Sequence, residues 1–266
     1  MIRFITGNII RFLIIVALAA LTSCSHDEPE SGIRLSSKAA HIIPPRLIAH
    51  RGLWNEPGSA QNSLTSIRLA FEEPKFRGAE IDIWMTSDGQ LILSHDGEIA
   101  GKKITETPFS QLRECRLANG EPIPTFEEAL ALLEDCPGKV LMLDIKSNCV
   151  DAMADTLKDF PHTDQLIFKS FSAEICEKLI SLGFSPVYLL TWDINSVDID
   201  HCESKSYTGF SAYIKPFLKT PALISELHSR GLSVIIWEAN TNAGIERMLM
   251  AGADLIVTDC KPVKRK

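Results

Sequence analysis

Short apolar runs rich in β-branched residues alternate with amphipathic stretches along most of the chain from Arg46 onward. Arg46-Leu47-Ile48-Ala49 is the first run with strand character. Asn62 to Phe71 then carries Leu64, Ile67, Leu69 and Phe71 at helical spacing. Ala79 to Met85 predicts a second strand, and Leu91 to Ser94 a short one after the turn Ser87-Asp88-Gly89. Thr125 stands where it can cap a helix over Phe126 to Leu133, with Glu128 placed to complete a capping box. Val140 to Ile145 reads as a strand and Val150 to Phe160 as a helix. The second half repeats the rhythm. Leu166 to Lys169, Pro186 to Leu190, Phe210 to Ile214, Ser233 to Trp237 and Leu255 to Val257 read as strands. Ala173 to Leu182, Pro221 to Arg230 and Ala243 to Met250 read as helices, each followed by a stopping glycine, Gly183, Gly231 or Gly252.

Strands that alternate with helices argue for a parallel sheet. An open, doubly wound sheet is the rival, but no Gly-x-Gly-x-x-Gly follows the first strand. The expected fold is therefore α/β, a (β/α)8 TIM barrel forming one domain over residues 46–262. Such a barrel keeps its chemistry at the C-terminal ends of its strands.

The first residues follow a different pattern. Arg3 and Arg11 flank a short apolar run, Phe12 to Leu21, too short for a spanning helix of ~20 residues. It closes on Leu21-Thr22-Ser23-Cys24, which resembles the lipobox of bacterial lipoproteins. Residues 1–23 are thus expected to be a signal peptide, and Cys24 the lipidated end that binds a membrane. Residues 24–45 open with the acidic Ser25-His26-Asp27-Glu28-Pro29-Glu30 and read as a tether. Residues 263–266 form a basic tail. The protein is expected to be exported and lipid-anchored on the periplasmic or cell-surface side of a bacterial membrane. A net charge of -7 over 266 residues gives no reason to expect nucleic acid, and no obligate protein partner is evident. The six cysteines beyond Cys24 contain no Cys-x-x-Cys pair and read as free thiols.

Polar residues gather where the strands end. The first strand runs into His50-Arg51-Gly52. Glu80 and Asp82 are two apart on the second, so both face one side. His95 and Asp96 follow the short strand, and Asp144 and Lys146 close the next. The fifth barrel strand runs into Trp192, the sixth into Lys215, the seventh into Trp237-Glu238-Ala239-Asn240 and the eighth into Thr258-Asp259. Three carboxylates facing a barrel interior repel one another without a cation, and hard divalent ions such as Mg²⁺ or Ca²⁺ prefer oxygen ligands. Two histidines suit general acid and base work near neutral pH. Arg51 and Lys146 suit a phosphate. Together these groups point to cleavage of a phosphoryl ester in a small-molecule substrate. Asp259 and Lys215 read as solvated rim charges, and Asp96 as a partner that orients His95.

In order and spacing these blocks resemble the glycerophosphodiester phosphodiesterase family: Ile48-Ala49-His50-Arg51-Gly52, Gln61-Asn62-Ser63-Leu64, Ala79-Glu80-Ile81-Asp82-Ile83, Leu93-Ser94-His95-Asp96 and Leu143-Asp144-Ile145-Lys146. Ser170-Phe171, Trp237-Glu238-Ala239-Asn240 and Gly252 to Asp259 are similar to later family blocks. The resemblance implies hydrolysis of glycerophosphodiesters to an alcohol and glycerol 3-phosphate. It implies His50 and His95 as the acid/base pair and Glu80, Asp82 and Asp144 as ligands of one divalent cation. Arg51 and Lys146 would contact phosphate or steady the ligands, and Trp237 would line the glycerol pocket. Gln61 and Asp144 stand where the family usually has Glu, and the stretch after Asp96 lacks the family's Arg-Thr-Thr. Two other readings follow from the same residues: a lipid-anchored phosphate-ester binding protein with weak or lost turnover, and a phospholipase-type lyase that forms a cyclic phosphate.

Overall fold

Strand β1 (Leu47–Ala49) pairs in parallel with the last strand of the chain on one side and with β2 (Phe76–Met85) on the other, which closes the sheet into a barrel. The computed structural model describes residues 46–260. The signal peptide, the tether and the basic tail expected from the sequence lie outside the described residues. Beyond β2 come a short return strand β3 (Leu91–Leu93) and a two-stranded hairpin of β4 (Glu98–Ile99) and β5 (Lys102–Lys103). The remaining barrel strands are β6 (Val140–Ile145), β7 (Leu166–Ser170), β8 (Val187–Thr191), β9 (Gly209–Tyr213), β10 (Ser233–Trp237) and β11 (Leu255–Thr258). Around the barrel the order is β1-β11-β10-β9-β8-β7-β6-β2, every neighbour parallel, with β3 antiparallel on β2. The helices are α1 (Leu64–Glu72), α2 (Phe109–Leu112), α3 (Phe126–Glu134), α4 (Val150–Leu157), α5 (Ala173–Ser181), α6 (Ile199–Ser204), α7 (Ile214–Lys219), α8 (Leu223–Ser229) and α9 (Asn242–Ala251).

The two-residue period of the strands sorts the core into two parts. One set of residues, including Ala79, Ile81, Ile83, Leu141, Leu143 and Phe168, packs against the helix ring. The other set, Ile48, Val140, Met142, Ile167, Tyr188, Leu190, Ile235, Trp237, Leu255 and Val257, fills the barrel itself. The interior set continues up the same strand faces into Glu80, Asp82, Asp144 and Lys169. Charged groups thus cap an apolar plug, where water cannot screen them.

Local signals explain most element bounds. Thr125 Oγ1 accepts from Glu128 N–H while Glu128 reaches back to Thr125 N–H, so the expected capping box starts α3. Gly252, at φ 101°, ends α9 in the left-handed conformation that glycine tolerates. The strands β6 and β10 have the bounds expected from sequence, while β2 begins three residues earlier than expected, at Phe76. One placement is corrected: Lys215 does not end a strand but lies in α7, which starts at Ile214. Pro216 sits in the first turn of that helix, where its missing N–H has no bond to lose.

Candidate active site

Register brings the acidic residues together. Asp82 of β2 lies level with Asp144 of β6, and Asp144 lies level with Lys169 of β7. Glu80, Asp82 and Asp144 are all buried, and one ligand oxygen from each lies within 4.8 Å of the others. Lys146 Nζ is 3.0 Å from Asp82 Oδ1 and 2.7 Å from Asp144 Oδ2. Lys169 Nζ is 2.9 Å from Glu80 Oε1 and 3.7 Å from Asp144 Oδ2. The electrostatics follow from this crowding. Burial alone would raise the Glu80 carboxyl, but Lys169, His50 and Lys146 hold it far below its usual range. Asp82 shifts the other way, because burial and then its neighbours Glu80 and Asp144 outweigh Lys146. Both lysines are pushed up by the acids against the opposing effect of burial.

The turn after β1 supplies the next group. Arg51 has φ 56° and Gly52 φ 75°, two successive left-handed residues that fold the chain back over the barrel mouth. Only glycine fits the second position, since a Cβ there would lie 2.3 Å from Ser66 Oγ. The turn aims Arg51 N–H at Glu80 Oε2, at 3.0 Å, and sends the guanidinium to Gln61 Oε1 at 2.8 Å. Asn62 Nδ2 donates to Asp82 Oδ2 at 2.9 Å and Asn62 Oδ1 accepts from Asp82 N–H, so this side-chain amide holds both the carboxylate and the backbone of Asp82. His50 points Nδ1 at Asp259 Oδ1, 3.0 Å away. Asp259 is itself held by Trp54 Nε1 at 2.9 Å and by Asn240 Nδ2 at 2.8 Å. Burial would lower the His50 imidazole, but Asp259 and Glu80 raise it overall; Asp259, despite burial, is held below the usual carboxylate range by His50, Trp54 and Asn240. Asp259 is therefore a partner of His50, not the solvated rim charge expected from sequence.

His95 leaves its strand in the opposite direction to that expected. It follows a strand antiparallel to β2, so its strand end does not point to the mouth with the others. β2 continues past its partners, and the return strand brings Ser94, the residue before His95, beside the acidic strand, its N–H donating to the Asp82 carbonyl at 3.2 Å. The imidazole is 41% exposed and its Nδ1 lies 2.8 Å from Asp96 Oδ1, the orienting contact expected. Across β7 to β10 the mouth is aromatic. Trp192 packs edge-on against Trp237 at 4.5 Å and stacks on Phe171 at 6.0 Å, and Tyr213 touches both tryptophans. Trp237 donates to Ser211 O and is only 7% exposed, whereas Trp192 is 62% exposed. The open face of this wall is thus Trp192 and Phe171, with Trp237 behind.

The donor set suits a hard divalent cation: three buried carboxylates on two adjacent strands, with Asp144 Oδ1 buried and lacking a hydrogen bond. The acids do not face one another unbalanced, because Lys169 as well as Lys146 lies against them. Residues missing from the sequence-based set are therefore Lys169, Asp259, Asn62, Asn240 and Trp54. For Lys169 a signal existed, a lysine at an inward position of an apolar strand. The six described cysteines form no disulfide with one another.

Residues 50–261 match the glycerophosphoryl diester phosphodiesterase family. A glycerophosphodiester phosphodiesterase from Caldanaerobacter subterraneus is 24% identical over 231 residues, covering 80% of this chain and 93% of that protein. The crystal structure of a glycerophosphodiester phosphodiesterase from Parabacteroides distasonis superposes with a TM-score of 0.74 at 27% identity, covering 80% of this chain and 92% of the other. An Oleispira antarctica phosphodiesterase in complex with the product sn-glycerol-3-phosphate superposes with a TM-score of 0.71 at 23% identity, covering 81% and 93%.

Proposed function

The chain belongs to the glycerophosphoryl diester phosphodiesterase family, and from that premise we propose that it hydrolyses glycerophosphodiesters to an alcohol and glycerol 3-phosphate at the open end of its barrel. The observation that carries this reading is the meeting of two charge systems at one mouth. One is the buried cluster of Glu80, Asp82 and Asp144 with its unbonded oxygen. The other is a histidine held by a carboxylate, His50 on Asp259.

Glu80, Asp82 and Asp144 would hold one divalent cation, Mg²⁺ or Ca²⁺, which would supply positive charge to stabilise the phosphate. Lys146, 17% exposed and bonded to two of the acids, presents its ammonium on the same side, and Arg51 lies beside it near Asp82. His50 and His95 move the protons. One takes a proton from the attacking oxygen, and the other gives one to the leaving alkoxide; the attacker is either water itself or the substrate's own glycerol hydroxyl, and in the second case water then opens the cyclic phosphate. Asp259 holds Nδ1 of His50, and Asp96 holds Nδ1 of His95, which leaves each Nε2 for the substrate. Trp192 and Phe171 offer the alcohol a flat apolar wall, with Trp237 as its backing. Lipidation at Cys24 keeps this site beside a bacterial membrane, on its periplasmic or outer face.

The test is a panel of glycerophosphodiesters incubated with the purified protein, with and without added Mg²⁺ or Ca²⁺, and product identification. Glycerol 3-phosphate with a free alcohol supports the proposal, and a cyclic phosphate as final product replaces hydrolysis with the lyase reaction. His50→Ala and His95→Ala are each expected to lose ~10²–10⁴ in kcat, the usual cost of a positioned acid or base. Binding without turnover in the wild type, or near wild-type turnover in both folded variants, overturns the mechanism.

A further inference from the structure

Lys169 distinguishes this acidic cluster from a simple carboxylate cage. It is the inward residue of β7 directly level with Asp144, and its side chain is 4% exposed. Beneath it lies the apolar plug that includes Ile167 and Met142. Its ammonium touches Glu80 at 2.9 Å and approaches Asp144 at 3.7 Å, while Lys146 takes Asp82 and the same Asp144 oxygen. Arg51 Nε stands 3.9 Å from Asp82 Oδ2. Three carboxylates therefore face three cationic side chains. Lys146 and Arg51 sit at the rim, each about one-sixth exposed, and are able to turn toward a substrate. Lys169 has no such exit.

We propose that Lys169 is a resident counter-cation of the acidic cluster, which keeps the carboxylates neutralised without a metal and sets a low affinity for the divalent cation. This rests on the reading that Glu80, Asp82 and Asp144 are the metal site. An isolated buried set of acids must bind a cation or take up protons to fold. A set already matched by a trapped ammonium folds without either, and an incoming divalent ion meets a neighbouring positive charge in a poorly screened site. Asp144 Oδ1, which no lysine or other group satisfies, is the acceptor left for that ion. The cation then binds reversibly, as an activator drawn from solution, and its loss leaves the barrel standing.

The experiment is calorimetric titration of metal-stripped protein with Ca²⁺ and with Mg²⁺, paired with thermal melts in chelator and in added metal. Lys169→Gln keeps a donor to Glu80 and removes the charge; Lys169→Arg keeps the charge; Lys169→Met is the alternative if the glutamine variant does not fold. Wild type and Lys169→Arg are expected to bind weakly and to melt at the same temperature with and without chelator. Lys169→Gln is expected to bind at least ~10-fold more tightly, as removal of a unit charge a few ångströms away implies, and to melt lower in chelator with recovery on adding metal. If Lys169→Gln and Lys169→Met bind no more tightly than wild type, or more weakly, Lys169 only orients Glu80 and the inference fails while the metal site stands. If neither wild type nor any variant shows binding heat or a melt shift, the metal assignment itself falls, and the inference with it.

Discussion

Each buried charge at the mouth has a partner that fixes both its position and its ionisation. His50 is raised above its ordinary 6.5 and Asp259 is held below its ordinary 3.8, each despite or through the other. A raised imidazole stabilises the fold fully below its ordinary value and loses that contribution as pH climbs through the raised value. A depressed carboxyl stabilises above its ordinary value and loses the contribution as pH falls through the depressed one. The pair therefore contributes most between 3.8 and 6.5. Asp259→Asn is expected to lower the melting temperature most in that window, with the difference shrinking as the medium turns alkaline. The His50 titration, followed by NMR, should also move down in the variant. An unmoved His50 midpoint contradicts the pairing. Little of this was readable from the chain. Alternation shows which strand residues face inward, but not which of them meet across a closed barrel, and His50 and Asp259 are 209 residues apart. Lys169 was nearer to view. A strand that stops at Lys169 leaves the ammonium at the rim, whereas the observed strand continues to Ser170 and places it inside.

At the scale of elements, the site depends on how β1 turns. Arg51 and Gly52 both occupy left-handed backbone, and this alone lets the Arg51 N–H meet Glu80. Gly52→Ala forces a Cβ against Ser66, whose hydroxyl donates to Arg51 O and Ser63 O. The expected cost is ~1–3 kcal/mol of stability, the scale of a residue held in a disfavoured region, with a fall in kcat larger than the loss of folded protein explains. Chemical denaturation and kinetics on the same sample decide it, and a fully active, equally stable variant shows that the turn does not shape the site. The strands were legible because their apolar alternation is strong and their ends carry glycine, proline or polar residues. The short helices α6 and α7 were not. Neither is long enough to show a period, and Pro216 near the start of α7 reads in isolation as a break.

For the molecule as a whole, the barrel fixes where chemistry occurs, and the anchor proposed at Cys24 would decide where the barrel is. Cys24→Ser is expected to shift the protein from the membrane fraction to the soluble one, or to leave it unprocessed, in a lipoprotein-processing bacterium. Fractionation identical to wild type counts against the anchor. Closure of the sheet has a further consequence, in time. The first strand of the barrel pairs with the last, and the histidine that follows β1 is held by the aspartate that follows β11. A growing chain thus carries His50 from the start but lacks its partner until nearly every residue has been made. Any nascent or clipped form that stops short of Asp259 lacks the carboxylate that holds His50, so activity is expected to begin only when the two ends of the barrel meet.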